Sequence, residues 1–88
     1  MMQPTRQEFI DEMLPIMTLV IRGMIDLPDK SSVTVCEGEN TVVFEVKVDK
    51  SDLGKVIGKR GKNAEALRSI LFAIASKYGC RAIMELND

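Results

Sequence analysis

Apolar residues recur at helical spacing in two long runs and alternate with polar ones in three short ones, and these two periods outline most of the chain. Phe9, Ile10, Met13, Leu14 and Met17 make the first helical run. Thr5, with Glu8 three residues on, has capping-box spacing, so a helix begins near Thr5. Pro15 lacks an amide hydrogen and its ring meets the carbonyl of Asp11. Straight continuation costs about 3 kcal/mol, which predicts a kink or break at this point. The stripe resumes through Met17, Val20, Ile21, Met24 and Ile25 and ends by Leu27 and Pro28; its methionines read as core filling.

Residues 32–36 and 41–48 alternate and are β-branched, so each is a strand, and the turn formers of 37–40 between them favour an antiparallel hairpin. Val42, Phe44, Val46 and Val48 share one face of the second strand. A short helical start follows with Ser51 as cap, then Gly58-Lys59-Arg60-Gly61, then a long helix. Leu67, Ile70, Leu71, Ile74 and Tyr78 form its buried stripe and Gly79 is placed to end it. Residues 80–86 read as a last strand. The order αββααβ, with a two-helix crossover between the second and third strands, predicts an α+β fold: a three-stranded mixed sheet backed by three helices.

Eighty-eight residues suffice for one domain, and 45% hydrophobic with 28% charged residues is the balance of an ordinary folded chain. Histidine is absent. That removes the Ser-His-Asp and Cys-His nucleophile arrangements, two-histidine zinc helices and the commonest acid/base near neutral pH. No other pair of residues has nucleophile-and-base spacing, so no catalytic residue is assigned and no enzyme is expected. Cys36 and Cys80 lack metal-ligand spacing; the expectation is reduced, buried thiols, no metal and no cofactor. No secretory signal is evident at the start, and the longest apolar stretch, 13–21, is interrupted and falls short of the ~20 residues that span a bilayer. A cytoplasmic protein without a membrane partner is expected.

Charge changes the picture. Residues 1–46 carry a balance of −5 and residues 47–88 a balance of +4, so the net −1 conceals a basic region. Lys47, Lys50, Lys55, Lys59, Arg60 and Lys62 fall close together, against Asp49 and Asp52. A charge run alone is equally what a solvated face looks like; association, however, responds to local potential as well as to the total.

The loop within this run carries the chemistry. Walker A and GxGxxG patterns both fail, leaving Gly58-x-x-Gly61 between two helices with both x positions basic. Glycines let a phosphodiester approach the main chain, and the long helix opens beside them with unpaired amides and its positive end. The stretch of residues 51–64, DLGKVIGKRG at its centre, in an αββααβ order, resembles a type II KH domain, and more narrowly the small bacterial single-KH proteins of the KhpA type.

That resemblance covers roughly residues 14–87, which makes 14–88 the KH domain and 1–13 a helical extension. It implies a single-stranded RNA of about four nucleotides lying between the loop and the adjacent strand. Gly58, Lys59, Arg60 and Gly61 would grip the backbone, Gly54, Lys55, Val56 and Ile57 would supply a groove wall, and Lys62 would add a phosphate contact. Lys47 and Lys50 are weaker candidates. One of Val56 and Ile57 belongs to the core, and the sequence does not say which. The chain has only four aromatics, too few for the stacking platforms of RRM or OB-type binders; bases in such a groove rest on aliphatic surface instead.

Phe72 lies off the long helix's stripe beside Ala75 and Ser76, and these three are candidates for a dimer interface. The resemblance further implies a homodimer, or a heterodimer with a second KH-containing protein, in bacterial post-transcriptional regulation linked to cell elongation and cell-wall synthesis. The competing reading is a protein-interaction module with an idle loop, working through the acidic first half and the long-helix surface.

Overall fold

Thr5 opens the first helix as its sequence requires. Its hydroxyl accepts from the Glu8 amide at 3.1 Å while the Glu8 carboxylate accepts from the Thr5 amide at 3.1 Å. The computed structural model describes residues 4–88, so the first three residues of the expected extension lie outside the described residues. Helix α1 (Arg6–Met24) leads to the hairpin of β1 (Ser32–Glu37) and β2 (Thr41–Lys47). A turn at Lys50–Asp52, α2 (Leu53–Ile57), the tight turn Lys59–Gly61, α3 (Lys62–Lys77) and β3 (Arg81–Asn87) complete the chain. The order is αββααβ. Strands lie β1-β2-β3, with β1 antiparallel and β3 parallel to β2, and Phe44 sits opposite Val35 on one side and Met84 on the other.

The core lies between the sheet and the helices. Val42, Phe44, Val46 and Val48 are all buried, as strand alternation requires. Phe9 meets the Phe44 ring edge-on at 5.8 Å.

The break expected at Pro15 does not occur: α1 runs unbroken from Arg6 to Met24. Phe9, Ile10 and Met13 before the proline and Met17 and Ile21 after it are all buried, so packing on both sides holds the helix through the missing bond. Pro15 itself is exposed. Residue 13, the expected domain boundary, therefore falls inside α1, and residues on both sides of it share one core. The Arg6 guanidinium also donates to the carbonyls of Gly38 and Glu39, at 2.7 and 3.0 Å, tying the start of α1 to the hairpin turn.

Helix α3 is rotated from its expected stripe. Ala64, Leu71 and Ala75 are buried, whereas Ile70 is 54% exposed. Small side chains at 64 and 75 let the helix sit close to the sheet, which turns Ile70 outward. Cys36 also departs from expectation: it is exposed, on the outward side of β1. Both cysteines are free.

Candidate nucleic-acid interface

Gly58 to Gly61 reverse the chain between α2 and α3, and three of these four residues have positive φ. Gly58, at φ 76° and ψ 171°, occupies a region open essentially only to glycine. A Cβ there would also lie 2.6–2.9 Å from the side chain of Asn63. That asparagine is committed, since its amide donates to the Lys55 carbonyl at 2.9 Å and stitches the end of α2 to the start of α3. Gly61 (φ 74°) has open space around it, so its requirement is conformational alone. Arg60 is the exception among them, a cation with a Cβ held at φ 58° and ψ 25° at an exposed loop tip. The left-handed conformation costs about 1–2 kcal/mol for a residue with a Cβ.

This geometry leaves donors open. The Gly58 amide bonds to the Gly54 carbonyl at 2.9 Å and the Gly61 amide to the Gly58 carbonyl at 3.1 Å. Those of Lys59 and Arg60 stand at the open end of the turn, and among the described residues neither donates to any group of the chain. Successive amides in such turns form anion-binding concavities. The side chains of Lys59, Arg60 and Lys62 are exposed, and none forms an ion pair among the described residues. The loop is not packed beneath other parts of the molecule.

Lys55 is different. Its ammonium lies 3.2 Å from Asp52 and 3.3 Å from Asp26, and these carboxylates, Asp52 first, hold its pKa above the ordinary lysine value. Its charge is thus largely compensated. Asp52 was not singled out by its sequence, yet it is fully buried. It accepts from the Asp26 amide at 3.1 Å and the Leu27 amide at 2.9 Å, anchoring α2 to the segment that leaves α1. These bonds, led by that from Asp26, keep its carboxyl below the usual range against the opposing effect of burial. No local signal distinguishes Asp52 from Asp49; only the fold brings residues 26 and 27 to it. The expected cap Ser51 is likewise a donor, not a cap: its amide bonds to Asp49 at 3.0 Å.

The choice between Val56 and Ile57 is resolved by α2, which turns Val56 fully into the core and leaves Ile57 37% exposed beside the loop. Val56 is therefore the core residue of the pair. Gly54 is exposed, with open space around its α-carbon. Lys47 and Lys50 are exposed, at the end of β2 and in the turn after it.

Of the three dimer candidates, Ala75 must be withdrawn, because it is buried against the sheet as part of the rotated α3 face. Phe72 and Ser76 are exposed. Ser76 donates to the Phe72 carbonyl at 2.9 Å, and Phe72 lies in a cleft between α3 and β3. A second apolar surface lies on the opposite flank of α3, where Ile16 of α1 and Ile74 line a cleft of about 440 Å³; Leu19 of α1 and Ile70 of α3 are exposed as well. The sequence stripe hid it by assigning Ile70 to the core.

Comparison with known proteins agrees with this architecture. The sequence model of the family described as "KhpA/KhpB, KH domain" matches residues 16–86. The chain is 51% identical over 73 residues to the RNA-binding protein KhpA of Aquifex aeolicus, covering 83% of this chain and 92% of that one. It is 35% identical over 75 residues to the protein of the same name from Borreliella burgdorferi, covering 85% and 92%. With that from Clostridium acetobutylicum it shares 35% identity over 74 residues, covering 84% and 99%. No solved structure matches. On the strength of that match and of an αββααβ fold built around a GxxG turn, the chain belongs to the KhpA/KhpB family of KH domains.

Proposed function

We propose that this protein is a non-enzymatic RNA-binding module that holds a single strand across the Gly58–Gly61 turn and along the adjoining groove. The observation that carries this reading is the turn itself: two amides that find no partner among the described residues, beside three cations that form no ion pair among them, at an exposed position. A polyanionic backbone satisfies both. Lys59, Arg60 and Lys62 supply the charge, Gly58 and Gly61 the close approach, and Ile57 and Gly54 the wall, while Lys55 holds α2 in place through Asp52. A footprint of about four nucleotides favours pairing of sites. The exposed surface of Ile16, Leu19 and Ile70 supports self-association or pairing with a second KH-containing protein. A role in the bacterial cytoplasm, in post-transcriptional control linked to cell elongation and wall synthesis, is part of this proposal and rests on the family alone.

Fluorescence anisotropy with a labelled single-stranded RNA tests it. Binding is expected to saturate and to weaken with salt, with a log-log slope near −2 for about three neutralised phosphates. Absence of binding, or a salt-independent signal, would overturn the proposal and leave the apolar α1/α3 flank as the working surface, which is the protein-interaction reading.

A further inference from the structure

Three charged groups meet where the chain leaving α1 passes α2. The Lys55 ammonium lies 3.2 Å from Asp52 and 3.3 Å from Asp26, and the two carboxylates differ in kind. Asp52 is fully buried and also accepts the Asp26 and Leu27 amides, so its bond to Lys55 is fixed in the fold. The Asp26 side chain is 78% exposed, and among the described residues its carboxylate pairs with Lys55 alone. What holds the fold together at Asp26 is its main-chain amide.

Lys55 belongs to the base of the Gly58–Gly61 turn. Its carbonyl accepts from the Asn63 side chain at 2.9 Å, and the neighbouring Gly54 carbonyl accepts from the Gly58 amide at 2.9 Å. Gly54 and Lys55 are both exposed on α2, whose buried side is Val56. An ammonium has three hydrogens to donate. Asp52 engages it on the core side, and Asp26 covers the solvent side, from which a phosphate would approach.

We infer that Asp26 is a built-in competitor of RNA: its carboxylate takes the place of a backbone phosphate on Lys55, and a strand held in the turn gains this contact only by displacing it. The inference rests on the proposal that the turn binds RNA, and adds to it a residue that limits the affinity. Charge decides the sign. One cation faces two carboxylates; without the charge of Asp26 the pair is neutral, Lys55 keeps its Asp52 anchor, and its outer hydrogens open to the strand. An exposed ion pair is weak enough to be exchanged for a phosphate, whereas breaking the buried one is costly. Lys55 thus has two roles, as anchor of α2 through Asp52 and as a phosphate contact once Asp26 is displaced.

Asp26→Asn keeps the amide that Asp52 accepts and removes only the charge. It should bind a labelled single-stranded RNA about threefold more tightly, with a log-log salt slope steeper by about 0.7 and a melting temperature within about 2 °C of the wild type. Asp29→Asn removes a nearby negative charge that is paired with Arg22 instead, and should leave affinity and slope unchanged. In a Lys55→Gln background, where an amide can still donate to Asp52, Asp26→Asn should bring no gain. Should Lys55→Gln fail to fold by far-UV CD, the comparison of Asp26→Asn with Asp29→Asn decides alone.

An Asp26→Asn affinity at or below that of the wild type would overturn the competitor. So would an equal gain from Asp29→Asn, or a gain that persists without Lys55, since either makes the effect one of overall charge. A Lys59→Asp/Arg60→Asp variant run in parallel separates the two claims. Normal binding by that variant sinks the turn reading and the competitor with it; loss of binding there, with no gain from Asp26→Asn, removes the competitor alone.

Discussion

Lys59→Asp/Arg60→Asp is expected to weaken single-stranded RNA binding roughly 100-fold while far-UV CD and melting temperature stay near those of the wild type. Hydrogen bonds to charged groups contribute about 1.5–3 kcal/mol each, so the loss of two amounts to roughly 3 kcal/mol or more. The two introduced carboxylates then repel the backbone. The salt slope should become shallower by about 1.4, the share of two phosphates on a single strand. Stability is spared for a structural reason. Both side chains are exposed and form no bond among the described residues, and aspartate tolerates the left-handed conformation at position 60 at least as well as arginine. Lys47→Asp/Lys50→Asp makes the same charge change away from the turn and should cost about threefold or less. Equal losses in the two double variants would mean that general basicity, and not the turn, attracts RNA.

Asp52→Ala should produce the largest change in stability. It leaves the Asp26 and Leu27 amides without their acceptor and takes from Lys55 the closer of its two partners. Unsatisfied donors in a packed setting are costly, and in a domain of this size the melting temperature is expected to fall by about 10 °C or more. The pH dependence follows from the direction of the carboxyl shift. A carboxyl held below its ordinary value contributes stability that is fully present above the unfolded value of about 3.9. That contribution disappears as pH falls through the lower, folded value. The gap between the wild type and Asp52→Asn should thus be constant from about pH 5 to 8 and close below about pH 4. Thermal melts followed by CD across that range check it. A melting temperature within about 2 °C of the wild type for Asp52→Ala would show that the buried carboxylate is not an anchor.

The contrast between these two sites explains what the sequence could reveal. The turn was legible because its glycines and cations are adjacent along the chain and need no tertiary information. The strands and the capping box were legible for the same reason: alternation at 42–48 and the Thr5–Glu8 spacing are local. Asp52 was not, because its partners at 26 and 27 come to it only through the fold. The pairing of Lys55 with Asp26 and Asp52 is hidden in the basic run for the same reason. Pro15 was read by its local cost, which burial on both sides of it outweighs. The α3 stripe failed more subtly. Periodicity favoured the large residues at 67, 70, 71 and 74, whereas close packing selected the alanines at 64 and 75 and turned Ile70 to water. Even within the turn, the left-handed state of Arg60 has no sequence signal, since such positions usually hold glycine or asparagine.

RNA is expected to lie against the open amides of the turn, and amide chemical shifts report on those groups directly. In ¹⁵N–¹H correlation spectra recorded during titration with a short single-stranded RNA, the largest shifts are expected at the Lys59 and Arg60 amides, with smaller ones at Gly58, Gly61 and Lys62. A saturating titration that moves other resonances and leaves those of Lys59 and Arg60 in place would contradict it.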